Sequence, residues 1–221
     1  MLNKIIGKIP FIRRYSTKSN LRAWEKRSVD WQKDYFDTWS HPHRNAITFI
    51  LKSMPWASLW EVGVGGGANL VKIIQDIPGR QLGGCDVNPK AIEFCRKSFE
   101  GALFHVESGE DMMLSDKSVD IILTDMTLIY VGPLKIRKYL REFGRITRNY
   151  VVLVEFDDRS FIGRLRARMS GHHAHDYRKL LESEGYYDVT IQTIPLEFYP
   201  GVKSGTDGTR KIITARPPIL K

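Results

Sequence analysis

Leu59-Trp60-Glu61-Val62-Gly63-Val64-Gly65-Gly66-Gly67-Ala68-Asn69-Leu70 is the stretch that decides the fold of this chain. Its first half is apolar and predicts a buried strand. Four glycines in five positions follow, then a helix carrying Leu70, Val71, Ile73 and Ile74 on one side. A strand that turns sharply into a helix leaves free backbone N–H groups at the helix start. Glycine lets a ligand press against the main chain there, because no Cβ stands in the way. About 20 residues further on, a second strand, Leu82-Gly83-Gly84-Cys85-Asp86, ends in an acid that can accept both hydroxyls of a ribose. Glycine turn and strand-end acid together predict a nucleoside-containing cofactor on Gly63, Gly65, Gly67 and Asp86.

Gly63, Gly65 and Ala68 also fit the dinucleotide fingerprint, so the glycines alone do not choose the cofactor. The wider pattern is more specific. Glu61 to Gly67, then Cys85-Asp86-Val87-Asn88-Pro89-Lys90-Ala91-Ile92, then Ser118-Val119-Asp120-Ile121-Ile122-Leu123-Thr124-Asp125, resembles the class I S-adenosylmethionine-dependent methyltransferases, roughly over residues 56 to 157. The resemblance implies an α/β fold: a single Rossmann-like doubly wound sheet, mostly parallel, with an antiparallel strand at the C-terminal edge. It implies S-adenosylmethionine as cofactor. Glu61 and the glycines would hold its methionine part and Asp86 its ribose, with Val87 and Asn88 at the adenine. An acid that receives the adenine amino group would be Glu110 or Asp111, two neighbours between which the sequence does not choose.

The chain has 221 residues, enough for one domain with a sizeable core. Residues 1–55 read as a basic arm with lid-like helices and 56–221 as the cofactor-binding domain. Cys85 and Cys95, both in apolar segments, argue against a secreted disulfide scaffold and fit a reducing, cytoplasmic setting. No apolar run is long enough to span a bilayer. The net charge of +9 favours acidic partners: phosphates, nucleic acid or an anionic membrane surface.

Residues 1 to 24 carry Lys4, Lys8, Arg13, Arg14, Lys18 and Arg22 and no acid. The segment reads as a surface arm, as a basic amphipathic anchor on an anionic membrane, or as an organelle-targeting segment. Pro10 breaks the helix that either special role prefers. Residues 21 to 40 predict one helix, with Trp24, Trp31, Tyr35 and Trp39 on a single face. Such a stripe is core or a lid over the cofactor. The resembled family often carries such a helix with an aromatic residue near the methionine end, and Tyr35 is a substrate-side candidate. Arg44, at the start of a helix over 43–53, is a carboxylate-pairing candidate or a surface arginine.

The fourth strand, Val119 to Thr124, is near-continuous in apolar residues, as in a strand covered on both faces. Open α/β sheets bind their reacting ligand where strands one and four diverge. Asp125, Thr127 and Tyr130 are therefore acceptor-side candidates, and Asp125 also a cofactor contact. A helix over 133–147, a fifth strand over 150–156, a helix over 175–184 ending at Gly185, and strands over 187–193 and 209–215 complete the reading. Between them lie the basic run Arg159 to Met169 and the loop His172-His173-Ala174-His175-Asp176. Adjacent loop histidines rarely close a metal tetrahedron alone, so no metal is expected. His173 and His175, or Asp125, are candidate bases for a high-pKa hydroxyl acceptor.

Methyl transfer to a small or lipid-linked, anionic acceptor, on oxygen or nitrogen, is the leading function. RNA methylation is the runner-up, since no stacking platform or recognition domain stands out. A nicotinamide oxidoreductase fits poorly: the only Tyr-x-x-x-Lys spacing, Tyr199 to Lys203, encloses Pro200-Gly201. A non-catalytic polyanion- or membrane-binding module on the same scaffold is the third class.

Overall fold

The computed structural model describes residues 17–169, 171–200 and 210–219. The basic arm up to residue 16 and most of the loop after Tyr199, Lys203 included, lie outside these. The strands are β1 (Ser58–Val62), β2 (Gln81–Asp86), β3 (Leu103–Val106), β4 (Val119–Asp125), β5 (Thr147–Phe156), β6 (Tyr187–Thr193) and β7 (Arg210–Arg216). They form one sheet in the order β3-β2-β1-β4-β5-β7-β6. The first five are mutually parallel; β7 runs antiparallel to β5, and β6 antiparallel to β7. β6 thus points with the parallel set, and the reversed strand lies one place in from the edge. The architecture is the doubly wound Rossmann-like sheet expected from the glycine strand.

Register sets the site. Val62 pairs with Cys85 on one side and Thr124 on the other. The next residues, Gly63, Asp86 and Asp125, therefore emerge level at one carboxyl edge.

The helices are α1 (Thr17–Glu25), α2 (Trp31–Asp34), α3 (His43–Lys52), α4 (Ala68–Asp76), α5 (Pro89–Ser98), α6 (Ile136–Ile146), α7 (Phe161–Met169) and α8 (Tyr177–Ser183). Successive strand residues point to opposite faces. Trp60, Ile122, Val151 and Leu153 pack on α6 and α8 through Tyr139, Leu140, Phe143 and Tyr177. Leu59, Ile121, Leu123 and Val152 pack on α3, α4 and α5 through Leu51, Leu70, Ile73 and Ile92. Helix cover on both faces explains the unbroken apolar run of β4.

One expectation changes, and one run gains an assignment. Residues 21–40 do not form one helix: α1 ends at Glu25, α2 is a single turn, and Phe36–Ser40 is a 3₁₀ turn. Asp30 starts α2 by accepting from Lys33 N at 3.1 Å, and a cap at that position forbids a continuous helix. The basic run after β5, to which the sequence reading gave no secondary structure, forms the helix α7.

At the far edge of the sheet, Asp120 fastens β1 to β4. Its Oδ2 accepts from Ala57 N at 2.8 Å and Ser58 N at 3.0 Å, and its Oδ1 from Arg148 Nε at 2.8 Å. Burial alone pushes its pKa up, but these donors outweigh it and hold the carboxyl below the ordinary range. The stabilisation is therefore present above about pH 4 and lost as pH falls through the lowered pKa. Asp120→Ala is expected to cost about 2–4 kcal/mol in urea unfolding at neutral pH, with the difference from the parent shrinking in acid.

Candidate active site

The glycine turn bends as only glycine does easily: Gly63, Gly65 and Gly67 have φ of 76°, 54° and 78°. It is also squeezed by its own chain. A Cβ on Gly66 would lie 2.7 Å from the Trp31 carbonyl, and one on Gly63 would strike Thr127. The glycines admit the N-terminal segment as closely as they would a ligand.

A cleft of about 270 Å³ opens above this turn. Leu21, Trp24, Trp31 and Tyr35 roof it; Val62, Gly63 and Gly65 form its floor. Asp86 and Val87 stand at one side, with Glu107, Ser108, Gly109 and Tyr139 beyond them. Asp125, Met126, Thr127, Tyr130 and Val131 form the opposite wall.

Asp86 is held rigidly: Gly65 N donates to its Oδ2 at 3.0 Å and Asn88 N to its Oδ1 at 2.9 Å. Burial raises its pKa and the N–H donors oppose that rise. Asn88, expected at the adenine, is not in the cleft. It is wholly buried, caps α5 through Lys90 N and Ala91 N, and donates to the Trp24 and Arg27 carbonyls at 2.7 and 2.8 Å. Neither acid expected beside the adenine lines the cleft. Glu110 turns outward to Lys135 at 2.6 Å and Lys138 at 3.9 Å, and Asp111 is exposed. The acid at this edge is Glu107, which the sequence reading passed over. Its Oε2 accepts from Met113 N at 3.0 Å, and its buried Oε1 has no hydrogen-bond partner among the described residues.

A buried polar cluster lies under the other end. Asn69, on the first turn of α4, donates from Nδ2 to Glu61 Oε1 at 2.7 Å and Asp125 Oδ2 at 3.1 Å. His43 Nε2 reaches Asp125 Oδ2 at 2.9 Å, and its Nδ1 faces His41 Nδ1 at 2.6 Å. His43 also stacks on Tyr199, ring centroids 5.3 Å apart. No sequence signal linked His43 to an acid 82 positions away. Burial pushes Glu61 up to about 8. Asp125 is equally buried, yet the His43 and Arg44 charges and the hydrogen bonds from His43 and Asn69 hold it below the ordinary range. Three buried oxygens here, Glu61 Oε2, Asn69 Oδ1 and Asp125 Oδ1, have no partner among the described residues. Unpaired acceptors beside an ionised carboxylate suit a cationic donor. The α-ammonium and sulfonium of S-adenosylmethionine supply that charge, so these residues fit the expected cofactor.

Arg44 does not reach the cleft lining. It donates to the Thr38 carbonyl at 2.7 Å, bracing the 3₁₀ turn, and acts on Asp125 and Glu61 only through its charge. Tyr35, Thr127 and Tyr130 do line the cleft. The loop carrying Thr127 is ordered by buried Glu155, which accepts from Thr124 Oγ1 and the backbone N–H groups of Thr127, Leu128 and Ile129 at 2.8–3.1 Å. Met126 sits at φ 55°, a strained conformation for a non-glycine residue and one that clusters at functional sites.

The histidine loop lies over the carboxyl ends of β4 and β5: His173 N donates to the Ile129 carbonyl and His175 N to that of Phe156. The contacts of the loop's three histidines divide them between two surroundings. His173 and His175 stack on each other and line a second cavity, away from the cofactor cleft. His175 is further disqualified as a base. Its Nε2 is committed to the Val131 carbonyl at 2.9 Å, and burial drops its pKa to about 4. His172 points the other way, with its ring 5.4 Å from that of Tyr130. Among the described residues no cluster of histidines, cysteines and acids is arranged to hold a metal ion.

Residues 60–150 match the family model described as a methyltransferase domain. No curated protein matches the sequence significantly. In fold the chain is similar to a chain from the Haloferax volcanii complex of the Trm112 methyltransferase activator with a methyltransferase, with TM-score 0.68, 16% identity and coverage of 93% of this chain and 99% of that one. It is similar also to the geranyl diphosphate C-methyltransferase of Streptomyces coelicolor A3(2), solved with Mg²⁺, geranyl diphosphate and S-adenosyl-L-homocysteine (TM-score 0.67, 13% identity, 96% and 99%). A third is the Haemonchus contortus phosphoethanolamine N-methyltransferase 2, solved with phosphomonomethylethanolamine and S-adenosylhomocysteine (TM-score 0.62, 10% identity, 93% and 58%).

The raised Glu61 pKa has a measurable consequence. Near neutral pH the carboxyl is mostly protonated, and a cation bound against it favours the ionised form. S-adenosylmethionine binding at pH 7 should therefore release close to one proton per site, read by calorimetry as an enthalpy that varies with the ionisation enthalpy of the buffer. In Glu61→Gln that buffer dependence should vanish.

Proposed function

We propose that this chain, a class I S-adenosylmethionine-dependent methyltransferase, methylates a small acceptor whose nucleophilic end, an amine or a hydroxyl, enters the cleft uncharged, while any anionic part stays outside. The character of the cleft carries this reading. Its volume of about 270 Å³ lies just below the usual range for ligand pockets, roughly 300–1,000 Å³. It is roofed by Leu21, Trp24, Trp31 and Tyr35, and the charged residues lining it are Asp86, Glu107 and Asp125, all acids. A nucleic-acid strand does not suit so small and acidic a space. Two of the fold neighbours were solved with acceptors that join a carbon or nitrogen centre to a phosphate, which supports an acceptor of two unlike ends.

S-adenosylmethionine supplies an activated methyl on a sulfonium. The chain's own contribution is position and exclusion of water, which can provide much of the rate in such a displacement. Trp24, Trp31 and Tyr35 keep solvent from the reacting end. Asp125, kept ionised by His43, is a counter-charge rather than a base, since a depressed pKa weakens proton abstraction. Tyr130 has a pKa raised by burial, so it stays a neutral phenol able to orient a nucleophile. His172 lies outside the cleft lining, with its ring against that of Tyr130. Burial lowers its pKa too, but from the ordinary imidazole range rather than a carboxylate's, so in this reading it is the acceptor of the substrate proton, reached through Tyr130.

The test is incubation of the protein and methyl-labelled S-adenosylmethionine with separated metabolite, lipid and RNA fractions. Label should enter the metabolite or lipid fraction, and label confined to RNA would overturn the reading. For a hydroxyl acceptor, His172→Ala should lower turnover by roughly 10²–10⁴-fold with cofactor affinity unchanged, whereas His175→Ala should lower turnover little. Equal losses for the two variants would remove His172 from its role.

A further inference from the structure

Away from the cofactor cleft, between α6, α7 and α8, lies a second cavity of about 660 Å³, with none of the acidic character of the first. Arg137, Arg159, Arg164, Arg168 and Lys179 line it against the single acid Asp176. Arg137 is paired with Glu184, and Arg159 reaches Asp176 only at 3.9 Å. Arg164 donates to backbone carbonyls of Asp158 and Arg159. Arg168 and Lys179 have no ion pair with any described residue. Several cations converge here without matching carboxylates, so the cavity is short of negative charge.

Its rim is unusual in the opposite sense. No residue of α7 is buried. Phe161 is 73% exposed, Ile162 62%, Leu165 47% and Met169 63%, and Leu134, next to the cavity-lining Pro133, is 98% exposed. Phe161 and Leu165 line the cavity along with Arg164 and Arg168. Isolated exposed apolar residues are ordinary, but a contiguous group marks a binding surface. A helix whose apolar side chains stand among arginines, beside an electropositive hollow, matches the chemistry of a bilayer interface: phosphates outside, acyl chains within. Arginine stems can lie along the apolar part while their guanidinium groups reach phosphate. The chain's own segment 1–16 does not match, since it carries four basic residues and no acid and would be repelled. RNA would satisfy the arginines but leave the aliphatic Leu134, Ile162 and Leu165 with nothing to stack on.

We propose that this face docks on an anionic membrane: the cavity between α6, α7 and α8 takes the phosphate of an anionic phospholipid, and the exposed apolar side chains of α7, with Leu134, enter the headgroup region. The face is separate from the reaction cleft, so docking would hold the enzyme on the surface without occupying its acceptor site.

The experiment is co-sedimentation of the full chain with vesicles of phosphatidylglycerol and phosphatidylcholine, against vesicles of phosphatidylcholine alone. Affinity should be at least about tenfold greater for the anionic vesicles and fall with added salt. Arg168→Glu with Lys179→Glu should lower it about tenfold or more, and so should Phe161→Ser with Ile162→Ser. Lys90→Glu with Lys97→Glu, a charge-matched change on α5, should leave it within about twofold. Because α7 buries no residue, the variants should keep the parent's unfolding temperature. Independently, Phe161→Trp should show an emission shift to the blue on adding anionic vesicles. Vesicle binding that survives both double variants, and so is carried by residues 1–16, would overturn the proposal. So would inorganic phosphate that blocks vesicle binding at millimolar concentration, RNA binding that depends on Arg168 while vesicles are ignored, or a Phe161→Trp emission unmoved by vesicles.

Discussion

Two carboxyl groups buried side by side, Glu61 and Asp125, are the constraint on which the site depends. Glu61 is buried and Asp125 shows only a little of itself at the cleft wall, and like charges so placed cannot both ionise without compensation. The fold resolves this unequally. Asp125 receives His43 and part of the Asn69 amide, with Arg44 nearby, and stays charged. Glu61 receives only the other side of that amide and is pushed towards neutrality. One asparagine on the first turn of α4 thus joins the ends of β1 and β4, and three oxygens around it still lack donors. Among the described residues the arrangement is incomplete, and a cationic donor is the kind of group that suits it. Helix, strand ends and the N-terminal His43 all converge on that one electrostatic deficit.

The sheet was legible because its signals are local. The glycine turn, Asp86 at the end of β2, and the apolar run of β4 each follow from neighbouring residues, and β-register then brings Gly63, Asp86 and Asp125 level. What failed to be legible depended on partners far along the chain. Glu110 reads as well as Glu107 for an acid beside the adenine, until Lys135 and Lys138 on the approach to α6 draw Glu110 outward. Asn88 follows Asp86 and Val87 in sequence but is consumed by capping α5 and holding α1. The histidine loop was placed at the correct edge, yet which histidine faces which way is decided by contacts with Ile129, Tyr130 and Val131, far back along the chain. One residue of register separates His172, beside Tyr130, from His173 and His175 in the other cavity. The aromatic stripe of residues 24–39 was read as one helix because spacing alone does not reveal that Asp30 starts a new one.

Composition speaks for the whole chain and not for the cleft. A net charge of +9 suggested an anionic acceptor, on the assumption that excess charge gathers where the substrate binds. In the cofactor cleft the charged residues are all acids, and the basic groups line the other cavity. A sulfonium donor favours negative counter-charge and a phosphate positive charge, and in this fold the two kinds of lining lie apart. Separating them across the segment 128–133, with Tyr130 on one side and Pro133 on the other, lets each keep its potential.

The roof connects cofactor to acceptor. Asn88 N donates to Asp86, and the same residue's side-chain amide holds the carbonyls of Trp24 and Arg27. On the opposite wall Asn20 Nδ2 donates to the Tyr130 carbonyl at 3.0 Å, and Trp24 packs on the Tyr130 ring with centroids 5.2 Å apart. The roof helix α1 is therefore tied to both sides of the cleft by three amide hydrogen bonds, at a net worth of about 0.5–1.5 kcal/mol each. Breaking all three costs about 2–4 kcal/mol, a small barrier beside those of enzymatic turnover, for which about 1.4 kcal/mol is a tenfold change in rate. The ties are strong enough to keep the reacting end dry and weak enough to open for each exchange of acceptor and product. Since one tie runs through the residue that positions Asp86, whatever occupies the ribose site bears directly on whether the roof is closed.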